Sequence, residues 1–315
     1  MQHYTSINDL ENLQNTVKEA IELKNNELKF NSLGNGKTIC LLFFNNSLRT
    51  RLSTQKAAQN LGLNTIVMNF GSEGWQLEYE DGVIMNEDKS EHVKEAAKVI
   101  AQYCDIVAIR AFASLTDKEK DLSEIVLNSF KKYAGIPVVN MESAVGHPLQ
   151  ALADAITMEE NKTIHKPKVV LSWAPHPKAL PHAVANSFVE MMQLQNADFV
   201  ITHPEGYELN PEITKNSTIE YNQEKAFENA DFVYVKNWSS FKDYGKVVNK
   251  DENWMITANK MKLTNNGKFM HCLPVRRNVI VADEVLDSKN SIVIEQANNR
   301  TYSAQIVLKK ILENL

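Results

Sequence analysis

The segment after Phe44 is the first whose residue types could do chemistry: Asn45-Asn46-Ser47-Leu48-Arg49-Thr50-Arg51. Ser47 suits the N-cap of a helix predicted over 49–61, and Gly62 suits the position just past its end. Arginines are unfavourable in a first helical turn, where the dipole is positive, unless an anion shares that end. Free N–H groups, the Ser47 and Thr50 hydroxyls and the Arg49 fork would make such an anion site. A capped helix with two surface arginines is the competing reading. No GxxxxGK[ST] is present, so a nucleotide P-loop does not explain the segment.

Further segments of this kind follow. Arg110 directly succeeds DIVAI, and His147-Pro148-Leu149-Gln150 opens a helical stretch with Pro148 suited to its first position. Trp173-Ala174-Pro175-His176-Pro177, His203-Pro204-Glu205-Gly206, Lys236-Asn237-Trp238 and His271-Cys272-Leu273-Pro274 each terminate an apolar run. A lone histidine is more often structural than functional. Basic or nucleophilic residues at five or more such ends form a pattern.

The elements that must position them are short apolar runs alternating with helical segments. Strands are predicted over 38–44, 64–70, 105–109 and 137–140, and again over 168–173, 198–202, 231–236 and 268–272. Helices are predicted over 49–61, 91–103, 149–160, 181–193, 224–229 and 301–315. Continuous apolar strands of this kind indicate parallel sheets covered on both faces. Ligands of such sheets gather at the carboxyl ends of the strands, where the segments above lie.

At 315 residues the chain has room for about two domains. A net charge of −5 excludes the basic footprint of a nucleic-acid binder, so neither nucleic acid nor membrane is an expected partner. The three cysteines, Cys40, Cys104 and Cys272, are unpaired in spacing, which excludes a CxxC site and argues for a reducing compartment. No apolar run approaches the ~20 residues of a membrane span, and residues 1–14 lack an apolar signal region. A cytoplasmic protein is expected. A dehydrogenase is disfavoured because no GxGxxG follows the first strand.

SLRTR, HPLQ and HCLPVRRN, in this order, resemble the aspartate/ornithine carbamoyltransferase family over nearly the whole chain. The resemblance implies a homotrimer without metal or cofactor that moves the carbamoyl group of carbamoyl phosphate to an amine. It implies a carbamoyl-phosphate-binding domain over 1–147, completed by a returning C-terminal helix 301–315, and an amino-acid-binding domain over 148–300. The substrate cleft would lie between them. Ser47, Leu48, Arg49 and Thr50 would hold the phosphate, and Thr50, Arg110 and His147 the carbonyl oxygen. Gln150 and the main chain at Cys272 and Leu273 would orient the carbamoyl NH2. Arg300, in the ANNR segment before the last helix, resembles a second phosphate arginine. A thiol nucleophile at Cys272 is the alternative to that main-chain role.

Within the family the chain resembles the acylornithine branch. It lacks the DxxxSMG motif of enzymes that take free ornithine and carries GSEGW (71–75), EDKSEH (87–92), MESAVGHPLQ (141–150), WAPHP (173–177) and VKNW (235–238). By this resemblance Trp75 of a neighbouring subunit completes the carbamoyl-phosphate site. Glu142, His176, Lys236 and Arg276 would bind the acylated ornithine, and the second domain would be knotted. Where the acetyl members read DGDTEEH this chain has Ser90 in place of a glutamate, and the succinyl members have proline. Where the acetyl members carry a carboxylated lysine this chain has Ile280, as the succinyl members do. The implied substrate is therefore N-succinyl-L-ornithine, in arginine biosynthesis. N-acetyl-L-ornithine, or a non-catalytic homologue that binds carbamoyl phosphate or an amino acid, are the alternatives.

Overall fold

The computed structural model describes residues 1–315. The chain divides into two compact units, Met1–Leu149 with Arg300–Leu315, and Gln150–Asn299. In the first unit the strands are β1 (Thr38–Phe43), β2 (Asn64–Asn69), β3 (Leu77–Glu78), β4 (Glu91–His92), β5 (Ile106–Arg110) and β6 (Val138–Glu142). In the second they are β7 (Lys168–Trp173), β8 (Asp198–Thr202), β9 (Thr218–Ile219), β10 (Phe232–Lys236) and β11 (Lys268–Met270).

All pairings between these strands are parallel. The first unit orders its sheet β2-β1-β5-β6 and the second β11-β10-β7-β8-β9. Both are doubly wound α/β sheets, as the apolar runs predict: Ile39–Phe43 and Ile106–Arg110 are buried throughout. Leu42, Val107 and Ile109 pack with Val93, Ala97 and Phe130 in one core. Val170, Val233 and Phe269 pack with Phe227, Ile256 and Val281 in the other.

The strand order carries the functional information. Winding reverses between β1 and β5 in the first sheet and between β7 and β10 in the second. A crevice for ligands opens outside the carboxyl ends at such a reversal. Residues 45–50 and Arg110 occupy one of these positions; His176 and Lys236 occupy the other.

Three local expectations need correction. Ser47 is not the N-cap of the helix Arg49–Asn60. Leu48 holds that position, in α conformation and without a side-chain cap bond, because the chain enters the helix one residue later. Residues 271–272 lie beyond β11, which ends at Met270. Arg300 does not precede the last helix but lies inside it: this helix runs from Val293 to Leu312. Gln296 and Asn299 are buried polar residues, so an apolar periodicity count misses the first two turns. At the other end of Arg49–Asn60, Gly62 has φ +78°, and the amides of Gly62 and Leu63 close on the carbonyls of Gln59 and Ala58. A Cβ there would stand 2.2 Å from the Asn31 carbonyl oxygen.

Candidate active site

In the first unit Thr50, Arg110, Glu142, His147 and Arg300 converge, all buried. Thr50 stands in the first turn of the helix after β1. Its Oγ1 accepts from Arg110 Nη1 at 2.9 Å and from Arg300 Nη2 at 2.6 Å. Two guanidinium donors occupy both lone pairs of a hydroxyl, so its own proton points elsewhere. Arg300 Nη2 also lies 3.3 Å from His147 Nε2. The helix carrying Arg300 is docked onto this unit by Ser303, whose Oγ donates to the Leu149 carbonyl at 2.6 Å. Gln305 adds bonds to Asn60 and to the Glu27 carbonyl.

Arg110 closes β5, and a bulge sets its neighbour. Ile109 pairs with Asn140, but Arg110 pairs with Glu142, leaving Met141 as the extra residue on β6. Glu142 Oε2 thus accepts from Arg110 Nη1 at 2.5 Å and lies 3.4 Å from His147 Nε2. The Arg110 guanidinium stacks on Phe112 at 4.2 Å, and the Phe112 amide donates to Asn45 Oδ1 at 2.6 Å. Asn45 and Phe112 therefore brace the two strand ends against each other.

Charge decides what this cluster can hold. Two buried guanidinium groups face one carboxylate, and the adjoining helix end has arginines and no acid in its first turn. Arg110 Nε is buried without a hydrogen-bond partner, a state that costs about 1–3 kcal/mol or more for a charged group. A small anion at the helix start would satisfy that excess. Arg51 is committed elsewhere: it lies 4.6 Å over the Phe43 ring and bonds to Asn69. Arg49 is half-buried, Ser47 likewise, and Leu48 is exposed.

Trp75 and Ser90 lie just ahead of the paired short strands β3 and β4. Trp75 is exposed and its indole N–H donates to Glu91 Oε2 at 2.9 Å. Ser90 is exposed, with its amide on the Gln76 carbonyl at 3.2 Å. Glu78 closes the intervening loop. It takes Lys89 Nζ at 2.8 Å and the amides of Tyr79 and Glu80, and these hold its carboxyl down to about 2.

In the second unit Arg276 Nε donates to His176 Nε2 at 3.1 Å. His176 Nδ1 is then the protonated nitrogen and donates to the Lys178 carbonyl at 2.8 Å. Burial, then the charges of Arg276, Lys236 and Lys178, push the His176 pKa below its usual value, which fits this neutral form. Lys236 ends β10, half-buried. Gln150 is buried, with Nε2 on Asp154 Oδ1 at 2.8 Å and Oε1 without a partner. Cys272 is buried, and Leu273 adopts φ +55° before a cis Leu273–Pro274 bond. The Leu273 amide donates to His271 Nδ1 at 2.8 Å.

The sequence reading missed Asn45, Phe112, Asp154 and Gln296 as supporting residues. Asp154 alone had a local signal, standing four residues after Gln150 on one helix face.

A doubly wound sheet with a buried cationic cluster at its strand ends fits the class of enzymes that handle a small anionic substrate. The chain belongs to the aspartate/ornithine carbamoyltransferase family. Residues 2–160 match its carbamoyl-P binding domain and residues 181–311 its Asp/Orn binding domain. The N-succinylornithine carbamoyltransferase of Bacteroides fragilis is 51% identical, with both chains covered completely. The N-acetylornithine carbamoyltransferase of Xanthomonas axonopodis pv. citri is 36% identical over 89% of this chain and 88% of that one. A crystal structure of N-acetyl-L-ornithine transcarbamylase, a glutamate-to-alanine variant complexed with carbamyl phosphate and N-succinyl-L-norvaline, superposes with a TM-score of 0.93. It is 33% identical, covering 99% of this chain and 100% of that chain.

Proposed function

We propose that the chain transfers the carbamoyl group of carbamoyl phosphate to the δ-amine of N-succinyl-L-ornithine. The products are N-succinyl-L-citrulline and phosphate, in arginine biosynthesis. The observation that carries this reading is the buried Thr50–Arg110–Arg300–His147 cluster, whose excess of positive charge calls for a small anion. Full-length relatedness to an N-succinylornithine carbamoyltransferase supports the particular substrate.

In this reading Ser47, Leu48, Arg49, Thr50, Arg110 and Arg300 hold the phosphate, with Trp75 supplied by a neighbouring subunit of a cytoplasmic homotrimer. The carbonyl oxygen lies toward Thr50, Arg110 and His147, and the carbamoyl NH2 toward Gln150 Oε1 and the main chain at Cys272 and Leu273. Glu142, His176, Lys236, Arg276 and Ser90 serve the acylornithine. The δ-amine, with an ordinary pKa near 10.4, must lose a proton to attack, and cationic surroundings favour that loss. A nitrogen–carbon bond forms, and the oxyanion that develops is met by the Thr50 hydroxyl, Arg110 and His147. The carbon–oxygen bond to phosphate then breaks, and phosphate takes up the amine's proton. Thiol attack by Cys272 is not needed.

Two positions favour succinyl over acetyl. Ser90 places a neutral donor where a glutamate would repel a succinyl carboxylate. A glutamate-lacking variant of the acetyl enzyme crystallised with a succinyl ligand supports that logic. Ile280 is buried in the apolar core of its unit, so no cationic or carboxylated arm extends from there. The test is citrulline-type product formation with succinyl-, acetyl- and free ornithine in parallel. Succinylornithine should give the highest kcat/KM, and acetylornithine doing so would replace the substrate assignment. Ser90→Glu should then lower the succinyl-to-acetyl ratio by tenfold or more, about 1.4 kcal/mol. An unchanged ratio would remove position 90 from acyl selection.

A further inference from the structure

A single buried carboxylate lies behind two sequence motifs that are more than a hundred residues apart. Asp154 follows Gln150 by one turn on the helix Pro148–Asn161 and is fully buried. Its Oδ1 accepts from Gln150 Nε2 at 2.8 Å and from Gln296 Nε2 at 2.7 Å. Gln296 is fully buried as well, and its Oε1 accepts from the His271 amide at 2.9 Å. The His271 ring in turn takes the Leu273 amide at 2.8 Å.

The chemistry of these partners fixes their orientation. A glutamine side chain has an acceptor end and a donor end, and a carboxylate oxygen accepts only. Both glutamines must therefore turn their NH2 groups to Asp154. Gln150 Oε1 is then forced to the opposite side, where it is buried and has no partner. Gln296 Oε1 is forced toward His271, which anchors the 271–273 main chain, where Leu273 is left-handed and precedes the cis bond. An asparagine at 154 would offer both a donor and an acceptor and would leave either glutamine free to turn over.

We propose that Asp154 is a positioning residue for the carbamoyl group. It aims Gln150 Oε1 and, through Gln296 and His271, the main chain at Cys272 and Leu273, so that all present acceptors to the same NH2. This rests on the reading above that Gln150 and that main chain receive the carbamoyl NH2. Asp154 itself touches no substrate.

A double-variant cycle tests it. Asp154→Leu keeps an apolar helix face and removes the shared acceptor. It should lower kcat/KM for carbamoyl phosphate by about 100-fold, the penalty of a misplaced reacting group, with the circular dichroism unchanged. In a Gln150→Ala background the same change should cost less than about a quarter of that factor, because only the main-chain arm through Gln296 is left for it to aim. A full second loss would mean that Asp154 acts on the fold, and would overturn the proposal. Gln150→Ala alone leaving carbamoyl-phosphate kinetics unchanged would instead remove the reading on which it rests. Should Asp154→Leu fail to fold, Gln150→Glu serves in its place, since it sets two carboxylates face to face. Its defect should be relieved at least tenfold by Asp154→Asn, and no relief would overturn the proposal.

Discussion

Thr50→Val removes one oxygen atom's worth of chemistry and almost no volume, at a side chain that is 1% exposed. In the free protein Oγ1 accepts from Arg110 at 2.9 Å and Arg300 at 2.6 Å. Each donor keeps a second neighbour: Glu142 for Arg110 Nη1 and His147 for Arg300 Nη2. The stability loss should therefore be that of one compromised charged hydrogen bond, about 1.5–3 kcal/mol, rather than of two orphaned charges. The kinetic loss should be larger, because the hydroxyl proton is turned away from both arginines and is available to a developing oxyanion. Removing one such donor costs about 100- to 1,000-fold in kcat. The assay is phosphate release at saturating succinylornithine, with thermal unfolding measured alongside, and Thr50→Ser should recover all but a few-fold. A valine variant with kcat within fivefold of the parent would show that the hydroxyl faces no reacting atom, and the assignment of the cluster to the carbonyl would be wrong.

Other outcomes follow from the same geometry. Arg49→Ala should abolish carbamoyl-phosphate binding in calorimetry while leaving circular dichroism unchanged; retained affinity would move the phosphate elsewhere. Glu142→Gln removes the anion that competes for Arg110, so carbamoyl phosphate should bind roughly fivefold tighter, about 1 kcal/mol, while the KM for succinylornithine rises. Equal weakening of both ligands would contradict this. His176 titrates below its usual value of 6.5. A base depressed on folding contributes stability above the unfolded value and loses it as pH falls through the folded one. Below that point the imidazolium can no longer accept from Arg276 and repels it. The KM for succinylornithine should therefore climb as pH falls from 7 to 5, and a His176→Asn variant should lack that climb.

Much of this site was legible because its residues follow apolar runs. SLRT after β1, Arg110 at the end of β5, His176 after β7 and Lys236 at the end of β10 could be placed from pattern alone. The reversal of winding beside each of them could not, since strand order is a property of pairing across the sheet. The resemblance gives Glu142 to the acylornithine, but its contact with Arg110 depends on a bulge that adds one residue to β6. Nothing local announces that bulge. From the sequence Arg300 looks like a residue ahead of the last helix, because Gln296 and Asn299 are polar yet buried, held by Asp154, Thr157 and Glu160. Hydrophobic periodicity sees helices by their apolar stripe, and a stripe made of hydrogen-bonded amides is invisible to it. The helix Leu13–Asn25 offers little stripe to see, its buried face being only Leu13, Thr16, Val17, Ala20 and Leu23 among charges.

The last helix also orders events during synthesis. The first unit needs residues 300–312, since Ile306, Val307, Leu308 and Ile311 are fully or almost fully buried and Arg300 belongs to its anion cluster. The ribosome delivers those residues after the whole of Gln150–Asn299. The usual sequence, in which the amino-terminal domain matures first, is therefore inverted for this chain. Residues 1–149 must wait with an open core while the later unit folds. The protein becomes competent to hold its anion only once the helix Val293–Leu312 has been made.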